Sequence, residues 1–243
     1  MIGNSSGRKV LDALHSSAPN FDIDEEADYT PASGWRVDDL CQPLPSEQPG
    51  PPVRGGSWEV ARRLMTDYEF ADPAIIRAIY HPDEPLESRD MLLEARFYGL
   101  RFLLGVRVGR VRDETREVGG HAARIWGWSY QTLQGHLEMG QMSYEVWKWL
   151  DSGRVEFRIH AFSRTAYIGN PLVRLGFRLF GMRQRRKFFA RACERMLKLT
   201  EAELADGDQA RDIVRAAGKL EMRPAAEKKG AGERLARRAD GGE

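Results

Sequence analysis

Between residues 100 and 165 the hydrophobic period of the chain is two, and it stays two through four consecutive segments. In LRFLLGVRVGRV, Leu100, Phe102, Leu104, Val106 and Val108 alternate with Arg101, Leu103, Gly105, Arg107 and Gly109. ARIWGWSYQTL follows a Gly119-Gly120 turn. QMSYEVWKWL and RVEFRIHAFS then flank the turn residues DSG. A period of two marks a strand with one covered face, and turns this short join only antiparallel neighbours. The chain therefore commits to an antiparallel meander with one face that must be buried.

The flanking segments supply the cover. Ser57 is a candidate N-cap for a helix carrying Trp58, Ala61, Leu64, Met65 and Tyr68 on one face. Asp72-Pro73 predicts a second short helix bearing Ile75, Ile76 and Ile79, stopped at His81-Pro82. Asn170-Pro171 repeats that start signal and predicts a long helix to about residue 205. Residues 41–56 are dense in Pro and Gly and read as an extended connector, after a short first strand or extended arm. Residues 1–28 and 206–243 read as loose tails, leaving a single domain over 29–205. The expected class is α+β: a curved antiparallel sheet with two short helices, gripping a long C-terminal helix. That helix-grip arrangement leaves room for a cavity between sheet and helix.

Composition narrows the function classes. Hydrophobic residues make up 42% of the chain, enough for a core. The net charge is +1, so no overall field favours nucleic acid or an anionic membrane. The run 181–195 holds Arg183, Arg185, Arg186, Lys187, Arg191 and Arg195, but at 100° per residue they scatter around a helix. The expected role is a solvated surface; the alternative is membrane-surface docking with Phe177, Phe180, Phe188 and Phe189. No apolar run approaches the ~20 residues of a membrane span, and MIGNSSGRKVLDALHSS lacks the apolar centre of a signal peptide. Cys41 and Cys193 lie far apart with no metal-ligand spacing. A cytoplasmic protein follows, with no nucleic-acid partner and no stable membrane insertion.

The stretch TLQGHLEMG, 132–140, is the densest polar motif. A turn at Asp151–Gly153 sets Leu150 opposite Arg154, Tyr144 opposite His160 and Gly140 opposite Arg164. A turn around Gly135 to Leu137 sets Thr132 beside Gly140. Thr132, His136, Glu138, Gln141, Ser163 and Arg164 then converge at one end of the sheet, with Arg164 placed to pair with Glu138. One reading is structural: the glycines permit tight turns, Thr132 and Ser163 bond to backbone, and His136 caps the tip. The other is a pocket mouth, with His136 or Glu138 as polar anchor or proton-transfer group. His136 and Glu138 lack a third metal ligand, and His160 lies roughly 25 Å away at ~3.3 Å per residue. No metal and no cofactor are expected. Ser163 and His160 point to opposite faces of one strand, which argues against a serine nucleophile. Trp126, Trp128 and Tyr130 share a face, either as core or as an aromatic wall for a flat ligand.

WGWSYQTLQGHLEMGQMSYEVW followed by VEFRIHAFSR resembles the bacterial and plant family of domains of unknown function numbered nineteen-ninety. The matching positions are Trp126-Gly127-Trp128, Thr132, Leu133, Gly135, His136, Glu138, Gly140 and Phe162-Ser163-Arg164, within roughly residues 29–200. The chain departs from that pattern at Gln141, where an acid is common, and at Thr165, where proline often follows. The resemblance implies the birch-allergen and START-like helix-grip superfamily, whose members often enclose apolar ligands. The combined expectation is a binder of a small apolar or aromatic molecule. Trp126, Trp128 and Tyr130 would form its wall, with Thr132, His136, Glu138, Ser163 and Arg164 around its mouth. The alternatives are an enzyme of the same fold using His136 or Glu138 as general acid/base, and a structural or partner-binding module.

Overall fold

The computed structural model describes residues 4–23, 28–97, 100–169 and 171–206. The alternating segments become β4 (Leu100–Val118), β5 (His121–Thr132), β6 (Glu138–Trp149) and β7 (Val155–Thr165). Before them come β1 (Arg36–Leu44), β2 (Ile76–Ile79) and β3 (Asp90–Phe97). The helices are α1 (Asn4–Leu14), α2 (Ser57–Thr66) and α3 (Pro171–Asp206). All strand pairs are antiparallel, in the order β1-β7-β6-β5-β4-β3-β2. Gly119 and Gly120, both at positive φ, close the two-residue β4–β5 hairpin as its twist requires.

One face of this sheet holds the main core. Trp128, Tyr144, Phe157 and Ile159 from the strands pack with Leu64 and Met65 of α2 and with Phe188, Phe189 and Met196 of α3. This is the expected helix-grip: a seven-stranded antiparallel sheet around a long C-terminal helix.

Several local expectations are corrected. The second short helix is absent. Its start signal makes a turn, in which Asp72 C=O accepts the N–H groups of Ile75 and Ile76 and Asp72 Oδ1 accepts that of Ala74. The chain then extends, and β-branched Ile76 and Ile79 pair along β3 as strand β2.

The β6–β7 register differs by one residue. Leu150 donates its N–H to Ala122 C=O, so the turn spans Leu150–Gly153 between Trp149 and Arg154. Tyr144 therefore faces Ile159, Ser143 faces His160, Gly140 faces Ser163 and Met139 faces Arg164. A slip of one reverses which side chains share a face, so His160 and Arg164 lie on the outer face.

The first residues are also not a loose tail over 4–23. Leu11 and Leu14 of α1 are buried on the outer face against Ile79, Leu92 and Leu133. The expected tail over 206–243 lies, from residue 207, outside the described residues.

In α3, Arg183, Arg186, Lys187 and Arg191 are exposed as expected, but Arg185 and Arg195 turn inward. Arg195 donates to Glu69 C=O at 2.8 Å. Phe188 and Phe189 are buried in the core, which removes them from any membrane surface. The side chains of Phe177 and Phe180 lie outside those described.

The Pro-rich connector is fixed by one carboxylate. Gly56, rather than Ser57, occupies the cap position of α2, and the missing acceptor comes from Glu47. Its Oε1 accepts Trp58 N–H at 2.7 Å and its Oε2 accepts Val53 N–H at 2.9 Å. Lys148 Nζ, fully buried on β6, bonds the same Oε2 at 2.5 Å and Pro51 C=O at 2.9 Å. Removing one partner of a buried pair strands the other charge. Glu47→Gln should therefore cost about 3–5 kcal/mol in urea denaturation; a loss well below that range would mean the pair does not hold the connector.

Candidate functional site

The rows of side chains across the inner face change character along the strands. Leu40, Ile159, Tyr144 and Trp128 form an apolar row. The next row is Asp38, Ala161, Met142 and Tyr130. The row after that is Arg36, Ser163, Gly140 and Thr132, with Glu138 beyond it opposite Thr165. Small residues at 161, 163 and 140 keep this corner low, and Arg185 reaches down to it from α3.

Four charged groups meet there. Arg185 Nε donates to Asp38 Oδ2 at 2.8 Å, and its Nη1 donates to Glu138 Oε2 at 3.1 Å. Arg36 Nη1 takes the other Glu138 oxygen at 3.2 Å, and its Nη2 donates to Thr165 Oγ1 at 3.1 Å. The Arg185 side chain is 9% exposed, and its guanidinium lies over the Phe189 ring at 5.0 Å. Its Nη2 is buried and has no acceptor. Ser163 Oγ, in the adjoining row, is also buried without a partner. Buried donors of this kind are rare in folded proteins, because each forfeits its hydration.

Beside the charges lies a cluster of phenols. Tyr68 and Tyr144 hydroxyls are 3.3 Å apart, and the hydroxyls of Tyr144 and Tyr130 point to Met142 Sδ at 2.9 and 3.5 Å. Burial pushes all three pKa values up, so these groups stay protonated hydrogen-bond donors.

The hairpin motif itself divides between two roles. Thr132 Oγ1 accepts Gly140 N–H at 2.9 Å and lies 2.6 Å from Asn20 Oδ1, while Asn20 Nδ2 donates to Glu138 C=O at 3.0 Å. Gly140 has φ +148°, and a Cβ there would stand 2.1 Å from Phe162 C=O, so only glycine fits. His136 Nδ1 accepts Glu138 N–H at 2.9 Å. Thr132, His136, Gly135 and Gly140 thus pin the turn, while the Glu138 side chain is delivered to the inner corner. With Nδ1 tied to backbone and both Glu138 oxygens held by guanidinium groups, the geometry favours anchoring over proton transfer.

The structure brings Thr132, Glu138 and Ser163 together, with Tyr130 in the neighbouring row, but separates the rest of the expected set. Arg164 does not pair with Glu138. The register turns it outward, where its guanidinium lies 5.3 Å from the Trp35 ring centre. Gln141 faces outward too, on the opposite parity from Gly140 and Met142. Trp128 is buried with Nε1 donating to Met65 C=O at 3.2 Å, and Trp126 packs under Arg62, its ring centre 5.2 Å from the guanidinium. Arg36, Asp38 and Arg185 were not expected. Arg185 had a visible signal: it shares the helical stripe of Phe188, Phe189, Ala192 and Met196, at offsets of three, four, seven and eleven.

Burial lowers the His136 pKa from 6.5 to about 4, outweighing the Glu138 carbonyl oxygen 2.9 Å from Nδ1, which favours the protonated ring and raises it. The ring is therefore neutral in the folded protein at pH 7. Between those two pKa values the unfolded chain binds a proton that the folded chain does not. The contribution is present in full above about pH 6.5 and is lost as pH falls toward 4. A histidine ring titration by NMR should place the His136 midpoint about 4. The denaturation midpoint should fall across that window, and His136→Ala should flatten the slope. A midpoint at the ordinary value would contradict the half-buried, neutral ring.

Among the described residues no helix is long and apolar enough to cross a membrane. No curated protein matches the chain in sequence. Among solved structures, the crystal structure of Ara h 8.0201 is similar at 8% identity and TM-score 0.38, covering 70% of this chain and 99% of that one. The structure of hypothetical protein jhp0584 from Helicobacter pylori is similar at 12% identity and TM-score 0.42, covering 75% and 96%. A family model spans residues 21–195, which include β1 to β7, α2 and α3 as far as Arg195. The chain therefore belongs to the family described as Domain of unknown function (DUF1990).

Proposed function

We propose that this domain binds a small apolar or aromatic molecule carrying one hydrogen-bond acceptor, held between the inner face of the sheet and α3. The acceptor sits on Arg185 Nη2. The observation that carries this reading is the buried, unpartnered N–H of that guanidinium, with unpartnered Ser163 Oγ in the adjoining row. Asp38 and Glu138 orient the guanidinium and leave one edge of its fork free. Tyr130, Tyr144 and Met142 form the nearest floor, and Trp126 and Trp128 extend the same wall toward α2. An arginine fixed this way is preorganised, so little side-chain entropy is lost when an acceptor arrives. Thr132 and His136 contribute by holding the hairpin that presents Glu138.

8-Anilinonaphthalene-1-sulfonate joins an aromatic body to an anionic acceptor and serves as the probe. The folded protein should show saturable fluorescence enhancement. Arg185→Lys keeps a cation for Asp38 and Glu138 but loses the second donor of the fork. It should weaken the probe by about tenfold, as expected for a charged hydrogen bond of ~1.5–3 kcal/mol. The circular dichroism spectrum should not change. Equal affinity in both proteins would refute the anchor.

A further inference from the structure

The outer face of the same strands carries a second polar concavity. A groove of about 390 Å³ runs along the middle of the sheet between β1 and β4. Two cross-strand rows build it. One runs Asp39, His160, Ser143, Ser129, Arg110, and the other runs Cys41, Arg158, Glu145, Gly127, Arg112. Its floor is low because Ser143, Ser129 and Gly127 are small. Gly127 cannot be enlarged, since a Cβ there would stand 2.4 Å from Tyr144 C=O. The bulge between Val108 and Arg110 shifts the β4 register so that Arg110 faces this floor, opposite Ser129.

The charges around the groove are almost all matched. Arg112 Nη1 donates to Glu145 at 2.6 Å, and Glu145 also accepts Trp147 Nε1–H at 2.7 Å. Arg158 donates to Glu156 at 2.6 and 2.9 Å and lies over the Trp147 ring at 4.0 Å. His160 Nδ1 meets Asp39 at 2.7 Å, which leaves Nε2 free. Arg110 is the exception: it has no hydrogen bond or carboxylate among the described residues. The side chains of Ser143 and Gln141, which also line the groove, make no hydrogen bond there either. The result is one unpaired guanidinium at the edge of a shallow floor, with a free hydroxyl and a free amide beside it.

We propose that this groove is a second ligand site, for a small planar molecule bearing a single carboxylate. The carboxylate takes the planar fork of Arg110, with Ser143 and Gln141 completing its hydrogen bonds. A monoanion fits because one guanidinium is unmatched. A dianion would place its further charge beside Asp39 and Glu145. A volume of this size suits a small molecule, and the matched pairs on either wall fix the width of the slot.

The test is ¹⁹F NMR titration of the full chain with 4-fluorobenzoate, alongside 4-fluorobenzyl alcohol, which keeps the ring and lacks the carboxylate. The benzoate should bind saturably and shift the backbone amide signals of Ser143 and Ser129. Followed at those two amides, the binding should weaken on the order of tenfold in Arg110→Gln, a change at an exposed position; binding at the inner corner is read separately, at the amide of Ser163. The alcohol should not compete. No saturable binding at Ser143 and Ser129, unchanged affinity there in Arg110→Gln, or a response at Ser163 alone would each overturn the proposal. The last result would locate the probe at the inner corner.

Discussion

The grip of α3 on the sheet has one polar contact that organises its surroundings: the Arg185 guanidinium held by Asp38 of β1 and Glu138 of β6. Those carboxylates are brought within reach of one side chain only because β1 adds to the sheet beside β7, next to β6. Glu138 in turn ties Arg36, also on β1. Removing a guanidinium from water is costly, and two carboxylates offset that cost only when geometry is good. Here the geometry serves two of the three nitrogens. The third remains inside and unmatched, and a serine hydroxyl in the adjoining row is in the same condition. On the proposed reading, that leftover donor is where the acceptor of a ligand sits.

The same strands build both faces, and parity decides everything about which residue serves which. Ala161 and Ser163 look inward while His160, Phe162 and Arg164 look outward, so Phe-Ser-Arg contributes to two unrelated environments. N-terminal residues cover much of the outer face at one end: Leu11 and Leu14 bury Leu92 and Leu133, and Phe21, Tyr29 and Trp35 pack around Phe162. The middle of that face is left polar and concave. The inner face is closed by α2 and α3 and is apolar except at the Arg185 corner and at the buried Lys148–Glu47 pair.

Much of the architecture was legible in the sequence because it rests on local rules. The period of two, the Gly119-Gly120 turn and the Pro171 helix start each depend on a few adjacent residues. Thr132 beside Gly140 followed from counting back from a tight turn, and the structure has that contact. The β6–β7 register did not follow from DSG alone. It depends on Leu150 remaining bonded to Ala122 on a third strand, a contact no turn motif contains. The second helix failed for a related reason: Asp72-Pro73 is a good helix start, but three isoleucines and a free edge on β3 outweighed it. The pairing of Glu138 with Arg185 joins positions 47 residues apart, one of them inside a basic run that reads as solvated surface. Its signal was an arginine placed on the helix's own apolar stripe.

The most direct test of the account is native mass spectrometry on gently purified protein, with solvent extraction of what it carries, for the wild type and Arg185→Lys in parallel. If the unmatched guanidinium anchors a ligand, the wild type carries a discrete added mass that extracts as a small acceptor-bearing molecule, and the variant loses it. An added mass retained equally by both, or none in either, would contradict a role for Arg185 beyond holding the helix to the sheet.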